Sequence, residues 1–136
     1  MVHIQRDKYG NYIFLDSESA LKYCSSTTRT IRTIDYVDTV WEDMPSIKFN
    51  QLRDRFLVRI NDFVLREYTV SNYIISMSKE LAGGKVPISD FCYFHKRPMK
   101  AEGTEIVIIT EDGVLKRICL VSGKSRRFVI SSGIKI

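Results

Sequence analysis

The sequence predicts an α+β fold, and three observations carry that expectation. Apolar residues recur at helical spacing between positions 46 and 82, β-branched residues crowd positions 25–41, and turn sequences divide the last third into short apolar runs. The expected order is an N-terminal β-hairpin and strand, a central helical pair at about 46–67 and 70–82, and a C-terminal three-stranded antiparallel meander. With 44% hydrophobic and 27% charged residues over 136 positions, composition is globular, and one domain spanning 1–136 is expected.

The hairpin rests on the alternation of Val2-His3-Ile4-Gln5-Arg6, the turn residues Gly10-Asn11, and the run Tyr12-Ile13-Phe14-Leu15. Asp16 and Ser17 offer capping oxygens for a short helix from Glu18 to about Cys24. Thr28–Trp41, dense in Thr, Ile, Val and Tyr, suits one long or two short strands. Asp43-Met44-Pro45-Ser46 then reads as a helix start. Phe49, Leu52, Phe56, Ile60 and Phe63 follow at steps of three, four, four and three, one stripe of a helix over 46–67. Phe56-Leu57-Val58 and Phe63-Val64-Leu65 widen that stripe, so the helix should pack on two sides. Arg53, Arg55, Arg59 and Arg66 fall on its polar side. Val70, Ile74, Met77 and Leu81 continue the spacing, and Gly83-Gly84 end it as C-cap glycines.

Pro87 and Pro98 bracket an aromatic strand or loop, Ile88–Arg97, that ends in basic residues. Glu105–Thr110, Val114–Val121 and Arg126–Ser131 form the meander, divided by Glu111-Asp112-Gly113 and Ser122-Gly123-Lys124. A one-residue slip would exchange the faces that Arg126 and Arg127 occupy.

Charge is distributed unevenly along the chain. Residues 1–84 carry 11 basic and 11 acidic side chains, whereas residues 85–136 carry 10 and 5, which is the whole net charge of +5. From Gly113 to Ile136 there are six cations and no acid. Such a surplus either keeps a small protein soluble or recruits an anionic partner. The second reading gives the leading expectation: a small non-enzymatic protein that binds DNA, RNA or an acidic protein surface. The binding set would be Lys96, Arg97, Lys100, Lys116, Arg117, Lys124, Arg126 and Arg127. The alternative is an interaction or assembly subunit, a homo-oligomer or virion-type protein, using Arg126–Ser131 as an edge strand.

Motifs for chemistry fail one by one. Cys24, Cys92 and Cys119 are too scattered for a disulfide framework. Cys92-x-x-His95 lacks the second close pair that structural zinc requires, so neither a metal nor a cofactor is expected. Gly83-Gly84-Lys85 and Gly123-Lys124-Ser125 lack the remainder of a phosphate loop. No acid precedes a Lys by two positions, as metal-dependent nucleases often arrange. His3 and His95 make no acid–base set, and no nucleophile elbow occurs, so a hydrolase or nuclease ranks last.

Phe91-Cys92-Tyr93-Phe94-His95-Lys96-Arg97-Pro98-Met99-Lys100 combines base-stacking rings with cations, although core packing is the better account of the rings. Trp41 is read as a core anchor. The arginines of 53–66 do not make a recognition helix, because the preceding segment reads as strand. No apolar stretch is long enough for a membrane helix, and Met1–Asp7 turns polar where a signal peptide would be apolar, so a cytoplasmic protein is expected. Its compact, motif-poor character suits a phage or mobile-element protein.

Overall fold

The computed structural model describes residues 4–40, 45–82, 84–94, 105–120 and 125–129, with backbone alone for 82 and 125–129. Among these residues there is no helix, and the α+β expectation is overturned. Twelve strands form three four-stranded antiparallel sheets, each a meander of consecutive strands. Sheet 1 holds β1 (Gln5–Arg6), β2 (Tyr12–Leu15), β3 (Ala20–Cys24) and β4 (Ile31–Tyr36). Sheet 2 holds β5 (Ile47–Phe49), β6 (Arg55–Asn61), β7 (Val64–Ser71) and β8 (Ile74–Ala82). Sheet 3 holds β9 (Ile88–Tyr93), β10 (Glu105–Thr110), β11 (Val114–Cys119) and β12 (Ser125–Val129).

The N-terminal hairpin and the C-terminal meander form where the sequence places them. Gly10 turns the first with φ +81°, and β9 adds a fourth strand to the second. The three expected helices are strands. Asp16 Oδ1 does accept backbone N–H bonds from Glu18 and Ala20, at 2.9 and 3.0 Å. Those bonds close a turn into β3 rather than starting a helix. Both long helices, 46–67 and 70–82, are replaced by sheet 2. Trp41, Gly83 and His95 lie outside the described residues.

Sheet 2 explains the apolar run at its centre. Phe56, Val58, Ile60, Tyr68 and Val70 pack toward Ile13, Leu15, Leu21, Tyr23 and Val37 of the sheet 1 side. The intervening Leu57 and Leu65 pack toward Ile88, Phe91, Tyr93, Ile106 and Ile108 of sheet 3. A strand buried on both faces has no polar alternation, because each successive side chain enters a core. The sheets therefore stack 1–2–3 with two apolar layers between them.

Charged groups tie both layers. On the sheet 1 side, the Tyr68 hydroxyl and Arg66 Nη1 (3.1 Å) donate to Asp35 Oδ2. Burial pushes the Asp35 carboxyl up, but Tyr68, the Tyr36 N–H and Arg66 outweigh it and hold the group below the usual range. On the sheet 3 side, the Tyr93 hydroxyl donates to Glu67 Oε2 at 2.8 Å. Arg59, placed by the sequence on a solvated helix face, is buried beside Leu57 and pairs with Asp62.

Candidate functional site

The expected basic set divides on inspection. Lys96, Arg97, Lys100 and Lys124 lie outside the described residues. Lys116 and Arg117 are neighbours on β11, so their side chains leave opposite faces of sheet 3. Lys116 pairs with Ile108 and Arg117 with Val107 across the strands. Arg117 is engaged within its own sheet: Nη2 donates to Glu105 Oε2 at 2.8 Å, and the guanidinium lies 4.1 Å from the centroid of the Phe94 ring. In the β11–β12 register, Arg126 stands opposite Arg117 and Arg127 opposite Lys116.

A second group of cations sits where the sequence sums to zero charge. Between residues 4 and 82, Lys22, Lys48, Arg55, Arg59 and Arg66 are paired to Asp16, Asp90, Glu67, Asp62 and Asp35 respectively. Asp7, by contrast, spends its carboxylate on the N–H groups of Tyr9 and Asn11 and on the Tyr23 hydroxyl, and is buried. Arg6, Lys8, Arg29, Arg32, Arg53 and Lys79 are left without a carboxylate partner among the described residues, and Lys79 donates instead to the Leu120 carbonyl.

Four of these six are joined through direct contacts. Arg53 Nη1 donates to the Arg6 carbonyl at 2.8 Å, and the Lys8 N–H donates to the Arg53 carbonyl at 3.0 Å. The Lys8 ammonium is 5.1 Å from the Tyr9 ring centroid, and Tyr9 stacks on Tyr73 at 4.3 Å and 28°. Arg32 Nη2 donates to the Tyr73 carbonyl at 2.7 Å, while its guanidinium lies 4.9 Å over the Tyr23 ring. Arg29 follows on the loop before β4, closed by Ser25 N–H to Thr30 O at 3.0 Å.

The β7–β8 turn that presents Tyr73 is strained. Asn72 and Tyr73 have φ of 50° and 63°, the left-handed pair of a two-residue hairpin loop. Asn tolerates that region, whereas an aromatic residue there costs on the order of 1–2 kcal/mol. Tyr73 stays because Tyr9 stacks on its ring, Tyr9 Oη accepts the Asn72 N–H at 3.1 Å, and Arg32 holds its carbonyl. Beside it opens a cleft of about 350 Å³, lined by Asn11, Tyr23, Thr27, Thr30, Arg32 and Tyr73 among others. Burial, with Asp7 next to the ring, pushes the Tyr23 hydroxyl up to about 12, so it stays protonated as a donor at neutral pH.

A second cleft, about 300 Å³, gathers the first strand of every sheet: Gln5 of β1, Lys48 of β5 and Cys92 of β9 among its lining. Lys48 is bound there to Asp90 and lies 5.1 Å from the Phe91 ring centroid. No group of three or more metal-ligating side chains occurs among the described residues. Among them, too, no helix is long and apolar enough to cross a membrane.

No family model and no curated protein matches this chain. Solved structures do resemble it. The β-propeller domain of Cps50 (Swd1) from Myceliophteria thermophila aligns with a TM-score of 0.68 and 14% identity, over 94% of this chain and 41% of that one. An auxiliary nutrient binding protein from Bacteroides thetaiotaomicron VPI-5482 aligns at 0.59 and 12% identity, over 88% and 33%. The chain thus spans less than half the length of each. At these identities the likeness is one of fold: the three four-stranded meanders resemble the blades of a β-propeller.

Proposed function

We propose that this chain is a non-enzymatic binding module for nucleic acid. The observation that carries the reading is the set of carboxylate-free cations, Arg6, Lys8, Arg32 and Arg53, linked to a stacked tyrosine pair. Cations without a carboxylate partner keep a charge that attracts phosphates, and aromatic faces can stack on bases. The C-terminal cations Lys96, Arg97, Lys100, Lys116, Arg117, Lys124, Arg126 and Arg127 belong to the segment that gives the chain its net charge of +5, and a net positive charge steers polyanions toward a protein. An anisotropy titration against labelled oligonucleotides tests this. Binding at about 50 mM salt should weaken by roughly a hundredfold at about 200 mM, the loss expected for about five phosphate contacts to a single strand. Absence of binding at the lower salt would overturn it.

A specific feature favours assembly as the second reading. The faces of sheets 1 and 3 that point away from sheet 2 carry the half-buried Tyr12 and Phe14, and Val107, Ile109 and Leu115. Faces of this kind suit packing against a further sheet, as sheet 2 receives on both sides.

A further inference from the structure

We infer that the cleft between the 25–30 loop and the β7–β8 turn receives one unstacked nucleotide of a single strand, its base on Tyr73 and its phosphate on Arg32. The inference rests on the nucleic-acid reading above and narrows it to a ligand class and a site. At about 350 Å³ the cleft falls at the small end of the range that encloses small ligands. Its polar lining is mostly hydroxyl, and a hydroxyl both donates and accepts, as sugar and phosphate oxygens require. Thr28 Oγ1 and Thr30 Oγ1, 2.8 Å apart, share one hydrogen bond and keep further capacity.

Arg32 is fixed rather than free to wander. The Tyr73 carbonyl anchors one end and the Tyr23 ring lies under its plane, yet no carboxylate among the described residues neutralises it. The Asp7 carboxylate nearby is buried and accepts from two N–H donors and the Tyr23 hydroxyl rather than from Arg32. An immobilised, unneutralised guanidinium beside hydroxyls is an oxyanion site. Tyr73 is 59% exposed and stacked on Tyr9, so its ring offers a platform already backed by a second ring. The strained backbone at Tyr73 is the third observation. A glycine would suit that φ better, and a turn that keeps tyrosine there retains the ring at a conformational cost. A base reaches an aromatic face only when it is released from its own stack, which selects single strands over duplex.

The test uses the full chain and 12-nucleotide poly-U, poly-dT and a duplex of equal length, read by anisotropy at about 50 mM salt. Both single strands should bind more tightly than the duplex, and a preference for poly-U would assign the hydroxyls to the ribose. Arg32→Ala should weaken binding about tenfold and lower the salt slope by about one. Tyr73→Gly, which suits the left-handed backbone, should preserve the thermal melt while weakening binding about tenfold. Tyr73→Phe should retain binding to within roughly twofold, because the stacking face remains. If the single strands bind and neither Arg32→Ala nor Tyr73→Gly changes it, the cleft is wrong and the broader reading survives. If the duplex binds as tightly as the single strands, the inference also fails. If no oligonucleotide binds and a phosphoserine peptide does, both readings fall.

Discussion

Glu67 shows how a single side chain can belong to two sheets. It is 2% exposed, and its carboxylate accepts the Tyr93 hydroxyl at 2.8 Å and the Ser78 hydroxyl at 2.9 Å, with Arg55 Nη1 at 3.7 Å. A buried carboxylate is tolerated only while such donors are present. Burial and the facing charge push the Tyr93 hydroxyl far above its ordinary value, so it remains a donor at any pH the fold experiences. Tyr93→Phe should therefore destabilise the protein by about 1–3 kcal/mol in urea unfolding. A loss below about 0.5 kcal/mol, the level of an ordinary surface change, would show that Glu67 does not depend on Tyr93. Sequence alone gives Glu67 no special standing, because its donors come from strands up to 26 positions away.

At the scale of the element, β6 decides the fold, and its residues are open to two readings. Phe56 and Ile60 keep helical spacing with Phe49, Leu52 and Phe63, yet Leu52 and Phe63 are turn residues, 59% and 39% exposed. The true pattern is burial of consecutive residues on opposite faces, and a short apolar run with both cores filled matches either period. Turn chemistry is also concealed. The turns at 50–54, 62–63 and 72–73 contain neither glycine nor proline, and Arg53, Asn72 and Tyr73 supply the positive φ values instead. Without those punctuation marks, four strands read as two helices. The assignment makes a sharp prediction for the adjacent Phe56 and Leu57, both fully buried. Phe56→Ala should cost about 3–5 kcal/mol and Leu57→Ala about 2–5 kcal/mol in equilibrium unfolding. If either proved neutral, one face of β6 would be solvated.

Across the whole molecule, sheet 2 is the shared wall of both apolar layers, so stability should be graded outward from it. Hydrogen exchange should find the amides of β6 and β7 the slowest, with Ile31–Tyr36 of β4, an exposed edge strand, opening well before them. Faster exchange in β6 than in β4 would contradict the 1–2–3 stacking. The charge map also changes at this scale. Residues 1–84 sum to zero, but their acids are unevenly placed: some pair with cations, and others are buried and accept from neutral donors. Neutrality along the chain thus coexists with exposed cations, Arg6, Lys8, Arg32 and Arg53, that have no carboxylate partner among the described residues.

The N-terminal hairpin, the C-terminal meander and the absence of a recognisable reaction motif are properties of the sequence itself, because turn residues and short alternating runs act locally. The basic excess of residues 85–136 is likewise a sequence property. The three-sheet stack is not, since a strand buried on both faces is defined by neighbours that are distant along the chain. Nor is the Arg32–Tyr73 cleft, whose residues lie 41 positions apart and meet only when sheets 1 and 2 pack. Local periodicity records how a segment divides polar from apolar, but not how many sheets cover it, nor which cation finds an acid. Those are settled by packing.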